Sequence, residues 1–375
     1  MAPKRKLVPV KLPAKIGFLS FMGDIAGCGI IRVITPYNML PYLKIPKLMI
    51  NTSYFSNYIG DPNFYKNFSF LQFQRSATET HLKIHRMFRE KVQPHLKIPL
   101  IYEIDDLLLG NEDGTDGIPE WNFAHQYYVK YQPFIRAMLS ESNAIVTSTY
   151  SLRKEYLKYN NNIAVCLNHL PKYIWGDVEP RYLDYKKGDK VKILWAGSQN
   201  HFRHPKMVSA PDGGDFGDKL MNFIRKTVDE YDWNFMGALP IELEDLKDKI
   251  QFHPWVNTWE YPKYVKSIGA DMAIAPLEQS RFNNCKSNIK SLEFVACGMP
   301  GVYSNVDPYK FMNKTCNNDE QMITYIQELA GDVDLRAKVF HKDYSTIKPQ
   351  LWWEEDDNLR KYINTYLGLM GRKLP

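Results

Sequence analysis

The sequence predicts an α/β protein of two doubly wound domains, each built on a parallel β-sheet. The chain has 375 residues, and chains longer than about 250–300 residues usually divide into more than one core. Short apolar segments alternate along it with segments of helical periodicity, which is the pattern of βαβ units. The alternation stops once, between residues 171 and 190, and then resumes.

The first half contains predicted strands separated by predicted helices. ETHLKIHRMFREKV (79–92) and NFAHQYYVKYQPFIRAMLS (122–140) carry apolar residues at helical spacing. Because helix-length segments separate the strands, we expect the strands to run parallel in one sheet. The predicted strands are KIGFLSF (15–21), KLMINTS (47–53), FSFLQFQ (68–74), PLIYEID (99–105), NAIVTST (143–149) and IAVCLNH (163–169).

A linker and a second series of the same kind follow. PKYIWGDVEPRYLDYKKGDK (171–190) is rich in charge, Pro and Gly, which is typical of a linker. The later predicted strands are VKILWAGS (191–198), WNFMGAL (233–239), KIQFHPWV (249–256), DMAIAPL (271–277) and MPGVYSN (299–305). The predicted helices are GDKLMNFIRKTVDEY (217–231), WEYPKYVKSIG (259–269), SNIKSLEFVAC (287–297) and a long amphipathic helix over 351–370. We therefore predict domains over 1–175 and 191–350, a linker over 176–190 and a terminal helix within 351–375.

Composition and charge indicate a globular protein with a mild basic bias. Hydrophobic residues are 44% of the chain and charged residues 24%. The net charge of +6 favours a polyanionic partner, although an ordinary basic cytosolic protein fits equally well. Five cysteines without a CxxC pair favour a reducing compartment over a disulfide framework or a zinc site. The basic N-terminal segment has no apolar run and no stretch of 18 apolar residues exists, so we expect a cytoplasmic protein.

The two domains are expected to face each other across a cleft between the C-terminal ends of their strands. Ligands of doubly wound sheets bind at those strand ends. Residues directly after each strand are therefore the first candidates for a site.

The segment FNNCKSNIKSLEF (282–294) follows one such strand. If Ser287 caps the next helix, Lys286, Lys290 and Glu293 lie near one face of it. A helix start has free N–H groups and a partial positive charge, so two added lysines suit a phosphate or diphosphate. Glu293 is placed to accept hydrogen bonds from a ribose diol. The alternative interpretation is a solvated lysine face with a stabilising Lys–Glu pair.

Small-residue turns follow the first strand of each domain. In FMGDIAGCGIIRV (21–33), glycines including Gly29 permit close backbone approach, and Arg32 offers a guanidinium. The turn is not GxGxxG, so the dinucleotide fingerprint is absent from it.

The corresponding turn of the second domain is WAGSQNHFRHP (195–205). Gly197 and Ser198 are candidates for holding a phosphate, with His201 and His204 nearby. The histidines raise the question of a metal, but no acidic residues are spaced with them to complete a site, and we predict none.

Two further strand ends carry polar side chains. Asp105 and Asp106 end the strand YEID, where paired carboxylates can act as a general base or orient a substrate hydroxyl. An acidic loop that caps the following turn is the equal alternative. Gln74 and Arg75 end FSFLQFQR, and an Arg at a strand end in a cleft often contacts phosphate. Trp255 follows the strand KIQFHP, where a ring can stack on a nucleobase or belong to the core.

The stretch APLEQSRFNNCKSNIKSLEFVACGMPGVYSN (275–305) resembles the donor-binding segment of GT-B glycosyltransferases, in particular the family-four-like group. YEIDD, FQR and WAGSQNH resemble other strand ends of that group. The resemblance implies two Rossmann-like domains, with the final helix crossing back to the first. It also implies a first domain that binds the acceptor and a second that binds the nucleotide sugar.

The same resemblance implies sugar transfer from a nucleotide sugar, with UDP as the expected nucleotide. Transfer would retain stereochemistry and use neither a metal nor a cofactor beyond the nucleotide-sugar co-substrate. Lys286, Ser287 and Lys290 would hold the donor diphosphate and Glu293 the ribose. The chain departs from the pattern at Cys285, where many members carry a second glutamate.

The acceptor is predicted by a looser resemblance. GDIAGCGIIRV is similar to the Gly-Cys-Gly turn of bacteriophage enzymes that glycosylate 5-hydroxymethylated bases in DNA. It implies a hexosyl- or pentosyltransferase acting on 5-hydroxymethylcytosine, located in the host cytoplasm if the chain is viral. Asp105 and Asp106 would be catalytic, and Gln74 and Arg75 would bind the acceptor. The alternatives are a surface or capsule polysaccharide glycosyltransferase and a non-catalytic DNA-binding module on a degenerate transferase fold.

Overall fold

The computed structural model describes residues 16–50, 59–111, 117–183, 188–203, 214–355 and 357–371. The basic N-terminal segment and His204 lie outside the described residues. The chain divides into two compact units. Unit 1 comprises Met1–Asp106, Tyr131–Asn168 and Trp353–Pro375, and unit 2 comprises Leu107–Lys130 and His169–Trp352.

Unit 1 contains a six-stranded parallel sheet with the strand order β2-β1-β3-β4-β5-β6. Its β1, β3 and β4 are buried along their whole length, as expected for parallel strands with both faces covered. The strands are β1 Phe18–Met22, β2 Lys47–Ile50, β3 Phe70–Gln74, β4 Leu100–Ile104, β5 Ala144–Thr147 and β6 Ile163–Val165.

Helices connect these strands. The helix Glu79–Lys91 begins with a capping box, in which Thr78 Oγ1 accepts from the His81 amide and His81 Nδ1 accepts from the Thr78 amide. The α-helices are Gly27–Gly29, Thr35–Met39, Pro62–Tyr65, Glu79–Lys91, Gln93–Leu96, His125–Glu141, Tyr150–Tyr156 and Asn358–Leu369. Gly27–Gly29 continues into a π-helical segment, Ile30–Ile34, and Thr35–Met39 continues into a 3-10 helix, Leu40–Leu43.

Unit 2 contains a second six-stranded parallel sheet, with the order β12-β11-β10-β7-β8-β9. Its strands are β7 Lys192–Ala196, β8 Asp232–Met236, β9 Gln251–His253, β10 Met272–Ala275, β11 Gly301–Ser304 and β12 Thr315–Cys316. The α-helices are Lys172–Trp175, Asp218–Thr227, Tyr261–Ile268, Arg281–Asn284, Ile289–Ala296, Asp319–Gly331 and Val333–Leu351. The 3-10 helices are Arg181–Leu183, Gln199–His201 and Ile241–Leu246.

The strand order of each sheet reverses direction once. In unit 1 the reversal lies between β1 and β3, and in unit 2 it lies between β7 and β10. At such a point the loops that leave the two strands run to opposite faces of the sheet and leave a crevice beyond the strand ends. The strand order thus predicts that a binding site of either unit lies at the ends of β1 and β3 or of β7 and β10.

The predicted helix over 351–370 is wrong in its extent. One helix, Val333–Leu351, ends at Leu351, and a second, Asn358–Leu369, starts seven residues later. Between them Trp352 is extended and forms a β-bridge with Leu170, and Asp357 has a left-handed backbone with φ of 57°. Tertiary pairing of Trp352 therefore overrides the helical pattern.

The final helix belongs to unit 1 and completes its aromatic core. Tyr366 stacks on Phe70 with ring centroids 5.0 Å apart and lies 5.5 Å from the ring of Phe18. Tyr362 lies 5.0 Å from Tyr366. Together with the two sheets, this return of the chain confirms the predicted fold class. Within the described ranges, no helix is both long enough and apolar enough to cross a membrane.

Candidate functional site

In unit 2, the turn after β7, which borders the crevice, lies close to the turn after β8. A Cβ at Gly237 would lie 2.5 Å from the Gly197 carbonyl oxygen, and Gly237 has a φ of 92°. Only glycine fits this close approach without strain. The Trp255 ring lies beside the same turn and is 59% exposed. A largely exposed aromatic ring therefore lies next to Gly237.

Asp215 lies at the centre of a polar cluster in this crevice. Its side chain is fully buried. Oδ1 accepts from the Glu278 amide at 2.9 Å and from Asn283 Nδ2 at 2.7 Å. Oδ2 lies 2.7 Å from His201 Nδ1 and 3.6 Å from Lys286 Nζ. The carboxylate thus fixes the positions of an imidazole and an ammonium group.

The cluster controls which of these groups carry charge. Burial opposes ionisation of Asp215, but Lys286 and the hydrogen bond from His201 outweigh it, so the pKa of Asp215 lies below its usual value. Burial lowers the pKa of His201, and the charges of Lys286 and Lys290 lower it further. At neutral pH, Asp215 is ionised and His201 is neutral.

Lys290 forms the ion pair that the alternative interpretation of this segment predicted. Its Nζ lies 2.7 Å from Glu293 Oε2, which also accepts from the Tyr261 hydroxyl at 3.0 Å. Glu293 Oε1 makes no hydrogen bond with any described residue. An ammonium group has three donors, and the side chains of Lys290 and Glu293 are 21% and 11% exposed. Lys290 and Glu293 therefore keep hydrogen-bonding capacity for a ligand.

The helix after the lysines is capped differently from the expectation. Asn288, and not Ser287, is the N-cap of Ile289–Ala296, and the Asn288 side chain makes no capping hydrogen bond. That side chain instead pairs with the Gln350 amide, with two contacts of 3.1 Å. The start of this eight-residue helix therefore has no side-chain cap, while Lys286 and Lys290 lie on either side of it in sequence.

The crevice of unit 1 holds the predicted carboxylates. Arg75 Nη1 lies 2.9 Å from Asp105 Oδ1 and 2.8 Å from Asp106 Oδ2, and it donates to Cys28 Sγ at 3.0 Å. Arg75 has a φ of 46°, which is uncommon for a residue with a side chain and marks a position held by its surroundings. The structure thus brings Arg75, Asp105 and Asp106 together.

Cys28, Asp105 and Asp106 are the one group among the described residues whose ligand atoms are close enough to hold a metal ion. The Arg75 guanidinium lies within 3.0 Å of an atom of each. A cationic group therefore already lies among these ligand atoms and balances one of the two carboxylate charges. Burial raises the pKa of the Cys28 thiol, which stays protonated at neutral pH.

Gln74 and Gly29 build the turn after β1. Gln74 is buried, its carbonyl accepts from the Gly23 amide at 2.8 Å, and its Oε1 accepts from the Asp24 amide at 3.1 Å. A Cβ at Gly29 would lie 1.8 Å from the Asp24 carbonyl oxygen. Both residues hold the backbone of this turn, and Gly29 is required there by close packing.

Arg32 is a buried residue of the unit 1 core. Its Nε lies 2.6 Å from Glu103 Oε1, and Nη1 donates to the Cys166 carbonyl and to Asn168 Oδ1. Burial raises the pKa of Glu103 to about 7. The side chain is 4% exposed, and its Nε and Nη1 are engaged by protein groups, so we do not include Arg32 in the donor site.

Sequence reasoning missed Asp215, Asn283 and Cys28. The partners of Asp215 lie 63 and 68 positions away in sequence, at Glu278 and Asn283. One local signal existed, because Asp215 sits in a GGDFG segment just before a helix. Short glycine-flanked segments between a strand and a helix often line sites.

No protein-family model matches the chain, and no curated protein matches its sequence. Solved structures do match. An α-glucosyltransferase in complex with UDP and a 13-mer DNA containing a central A:G mismatch is 11% identical with a TM-score of 0.54, and the match covers 90% of this chain and 96% of that one. An α-glucosyltransferase in complex with UDP-glucose and DNA containing an abasic site is 10% identical with a TM-score of 0.57, and the match covers 90% of this chain and 96% of that one.

A third match differs in activity. The UDP-GlcNAc 2-epimerase from Neisseria meningitidis, bound to UDP-GlcNAc, is 9% identical with a TM-score of 0.53, over 94% of this chain and 100% of that one. The chain has the GT-B fold. At such identities the likeness extends to the fold alone, and one fold hosts many activities.

Proposed function

We propose that this protein is a glycosyltransferase that moves a sugar from a UDP-sugar to a hydroxyl group. The observation that carries the proposal is the polar cluster of unit 2. Two ammonium groups, Lys286 and Lys290, flank an uncapped helix start at the strand-order reversal of a doubly wound sheet. This is the chemistry and the place that suit a diphosphate.

The same cluster suits the departure of a nucleoside diphosphate. As the bond between the sugar and the diphosphate breaks, its electron pair leaves with the diphosphate oxygen, so positive charge is needed there. Lys286 is held by buried Asp215 and Lys290 by Glu293. These fixed ammonium groups support a mechanism without a metal or another cofactor.

The rest of the donor has matching groups nearby in unit 2. Glu293 Oε1 suits a ribose hydroxyl. The exposed Trp255 ring offers a face on which a nucleobase can stack. Gly197 and Ser198 follow the end of β7, and the Gly197 carbonyl lies against Gly237, the residue beside that ring. We propose unit 2 as the donor-binding unit on these grounds.

For the acceptor we propose 5-hydroxymethylcytosine in DNA, bound by unit 1. Two matching structures contain DNA beside UDP or UDP-glucose, and the net charge of +6 suits a polyanion. The base would have to leave the helical stack to react. Its hydroxyl oxygen bonds to the anomeric carbon as the diphosphate departs, and the hydroxyl proton passes to Asp105, Asp106 or the diphosphate. We propose that the anomeric configuration is retained.

A panel of UDP-sugars tests the proposal. Each UDP-sugar is incubated with DNA that contains 5-hydroxymethylcytosine and with unmodified DNA. The DNA is then digested to nucleosides, and their masses are measured by mass spectrometry. We expect a mass gain of one hexose or pentose on the modified base only. Consumption of the UDP-sugar without a mass gain on any nucleoside would contradict the DNA acceptor and favour a polysaccharide acceptor. DNA binding without any donor binding would indicate a non-catalytic module.

A further inference from the structure

The polar cluster of unit 2 contains an unused hydrogen-bond acceptor beside its two ammonium groups. His201 contacts Asp215 through Nδ1 at 2.7 Å. Its second ring nitrogen, Nε2, makes no hydrogen bond with any described residue. The side chain is 21% exposed, so a ligand can reach it.

The surroundings of Asp215 fix which nitrogen carries the proton. Oδ1 accepts two hydrogen bonds and Oδ2 lies 3.6 Å from Lys286 Nζ, so the group is a carboxylate with no proton to give. The contact at 2.7 Å therefore requires His201 Nδ1 to donate. Because the lowered pKa keeps the ring neutral, Nε2 carries a lone pair and accepts.

Packing holds the ring in this orientation. The Trp195 ring meets it edge to face at 5.6 Å with an interplanar angle of 87°. His201 Cδ2 lies 2.9 Å from the position that a Cβ on Gly197 would take. With Nδ1 on Asp215 and Cδ2 on Gly197, the exposed edge of the ring is the one that carries Nε2.

A lone pair at this place discriminates between parts of a ligand. Phosphate oxygens of a nucleotide sugar are acceptors, so they find no hydrogen bond at Nε2. A sugar hydroxyl donates and does. A ligand that satisfies Lys286, Lys290 and His201 together needs anionic oxygens close to a hydroxyl group, which describes a phosphorylated sugar.

We propose that His201 Nε2 accepts a hydrogen bond from a hydroxyl of the transferred sugar, so that His201 selects the sugar and does not hold the diphosphate. This inference rests on the proposed function. Asp215 is then a positioning residue, because it acts on the ligand through His201 and Lys286.

Isothermal titration of UDP and of UDP-glucose, UDP-xylose and UDP-arabinose tests the inference. His201→Asn places an amide N–H where Nδ1 donates to Asp215 but has no counterpart of Nε2. We expect UDP to bind this variant within about twofold of the wild type. The advantage of the best UDP-sugar over UDP is expected to fall by about threefold to tenfold, the range for one hydrogen bond.

Deoxygenated donors give a readout that a purely structural role would not move. UDP-sugars that lack one hydroxyl at a time are titrated into the wild type and His201→Asn. In the wild type, one analogue is expected to bind more weakly than the parent UDP-sugar. In His201→Asn, the same analogue and the parent UDP-sugar are expected to bind equally well. If the amide disturbs folding, titration of the same analogues into the wild type alone remains a test, because removal of the hydroxyl that His201 contacts must weaken binding.

Three outcomes would overturn the inference. Equal losses for UDP and UDP-sugars in a folded variant would put His201 on the diphosphate, and no loss at all would remove it from the site. A wild type that binds neither ligand would remove the proposed function as well. A wild type that binds UDP-sugars with the expected preference but never transfers sugar would contradict the proposed function alone.

Discussion

At the scale of single residues, the two lysines of the donor cluster have different roles although they are four positions apart. Lys286 lies against the buried carboxylate of Asp215, so removing it would leave a buried charge with fewer partners. Lys290 pairs with Glu293, whose side chain is 11% exposed and also accepts a hydrogen bond from the Tyr261 hydroxyl. Loss of Lys290 therefore tests ligand binding with less risk to the fold.

We expect Lys290→Ala to weaken UDP binding by about 1.5–3 kcal/mol, the range for hydrogen bonds to charged groups. The measurement is isothermal titration with UDP. Lys310→Ala is the matched control, because Lys310 forms a similar i,i+3 pair with Asp307 on the surface of unit 2. An unchanged affinity in Lys290→Ala would remove Lys290 from the donor site.

Asp106 can be tested in the same way for a role in the chemical step. If Asp106 accepts the hydroxyl proton, Asp106→Asn should lower kcat by about 100-fold or more, the range for general base catalysis, while UDP binding stays within about twofold. Asp105→Asn shows whether its neighbour serves instead. Because Arg75 contacts both carboxylates, thermal unfolding of each variant is the control. A normal kcat in both variants would make the pair structural.

At the scale of elements, the helix Glu79–Lys91 ties the stability of unit 1 to pH. Its His81 and His85 are buried, and burial lowers their pKa values to about 4 and about 3. His85 Nε2 lies 3.0 Å from Ser142 Oγ. An unfolded histidine takes up a proton near pH 6.5, so the unfolded chain binds more protons below that pH. Stability is therefore lost as pH falls from about 6.5 toward 4.

Each neutral histidine contributes about 1.4 kcal/mol per pH unit in that range. We expect His85→Gln, which can keep the contact to Ser142, to reduce the pH dependence of the free energy of unfolding by about this slope. Urea unfolding of both proteins at pH 7.5 and 5.5 measures it. Burial raises the pKa values of Glu103 and Asp343 to about 7. These two carboxyl groups therefore stabilise the fold as pH falls, and they do so equally in the wild type and in His85→Gln. Parallel pH profiles would contradict the assignment.

The elements also show what the sequence could and could not predict. The pattern of a strand end followed by a helix is local, so the sequence could identify a set of candidate residues: Lys286, Lys290, Asp105 and Asp106. The cap at Asn288 was missed because Gln350, 62 positions away, engages its side chain. Asp215 was missed because its partners assemble only in the folded sheet. The pattern of a long final helix failed where Trp352 pairs with Leu170.

At the scale of the whole molecule, the fold class followed from the sequence alone, because two series of alternating segments leave few other architectures. The proposed DNA acceptor is a property at the same scale. Binding to duplex DNA that contains 5-hydroxymethylcytosine should weaken roughly tenfold or more between 50 and 200 mM salt, since counterion release dominates such binding. A neutral polysaccharide acceptor would show little of this dependence.

Fluorescence anisotropy with labelled duplexes at several salt concentrations measures the slope. Replacing Lys4, Arg5 and Lys6 by alanine tests the basic N-terminal segment. If these side chains bind phosphates, the slope of log K against log salt should become less steep by about 0.9 for each phosphate that is no longer neutralised. An unchanged slope would exclude that segment from the DNA-binding surface.

The membership of the final helix in unit 1 has a consequence for synthesis on the ribosome. Unit 1 is assembled from three separate pieces of the chain, and the last begins at Trp353. Until Tyr362 and Tyr366 emerge, the ring of Phe70 lacks its stacking partner, so unit 2 is complete before unit 1. A chain stopped after Trp352 should bind the dye ANS and aggregate. Premature termination near the end of translation is therefore expected to disrupt unit 1 as much as a truncation within its earlier segments.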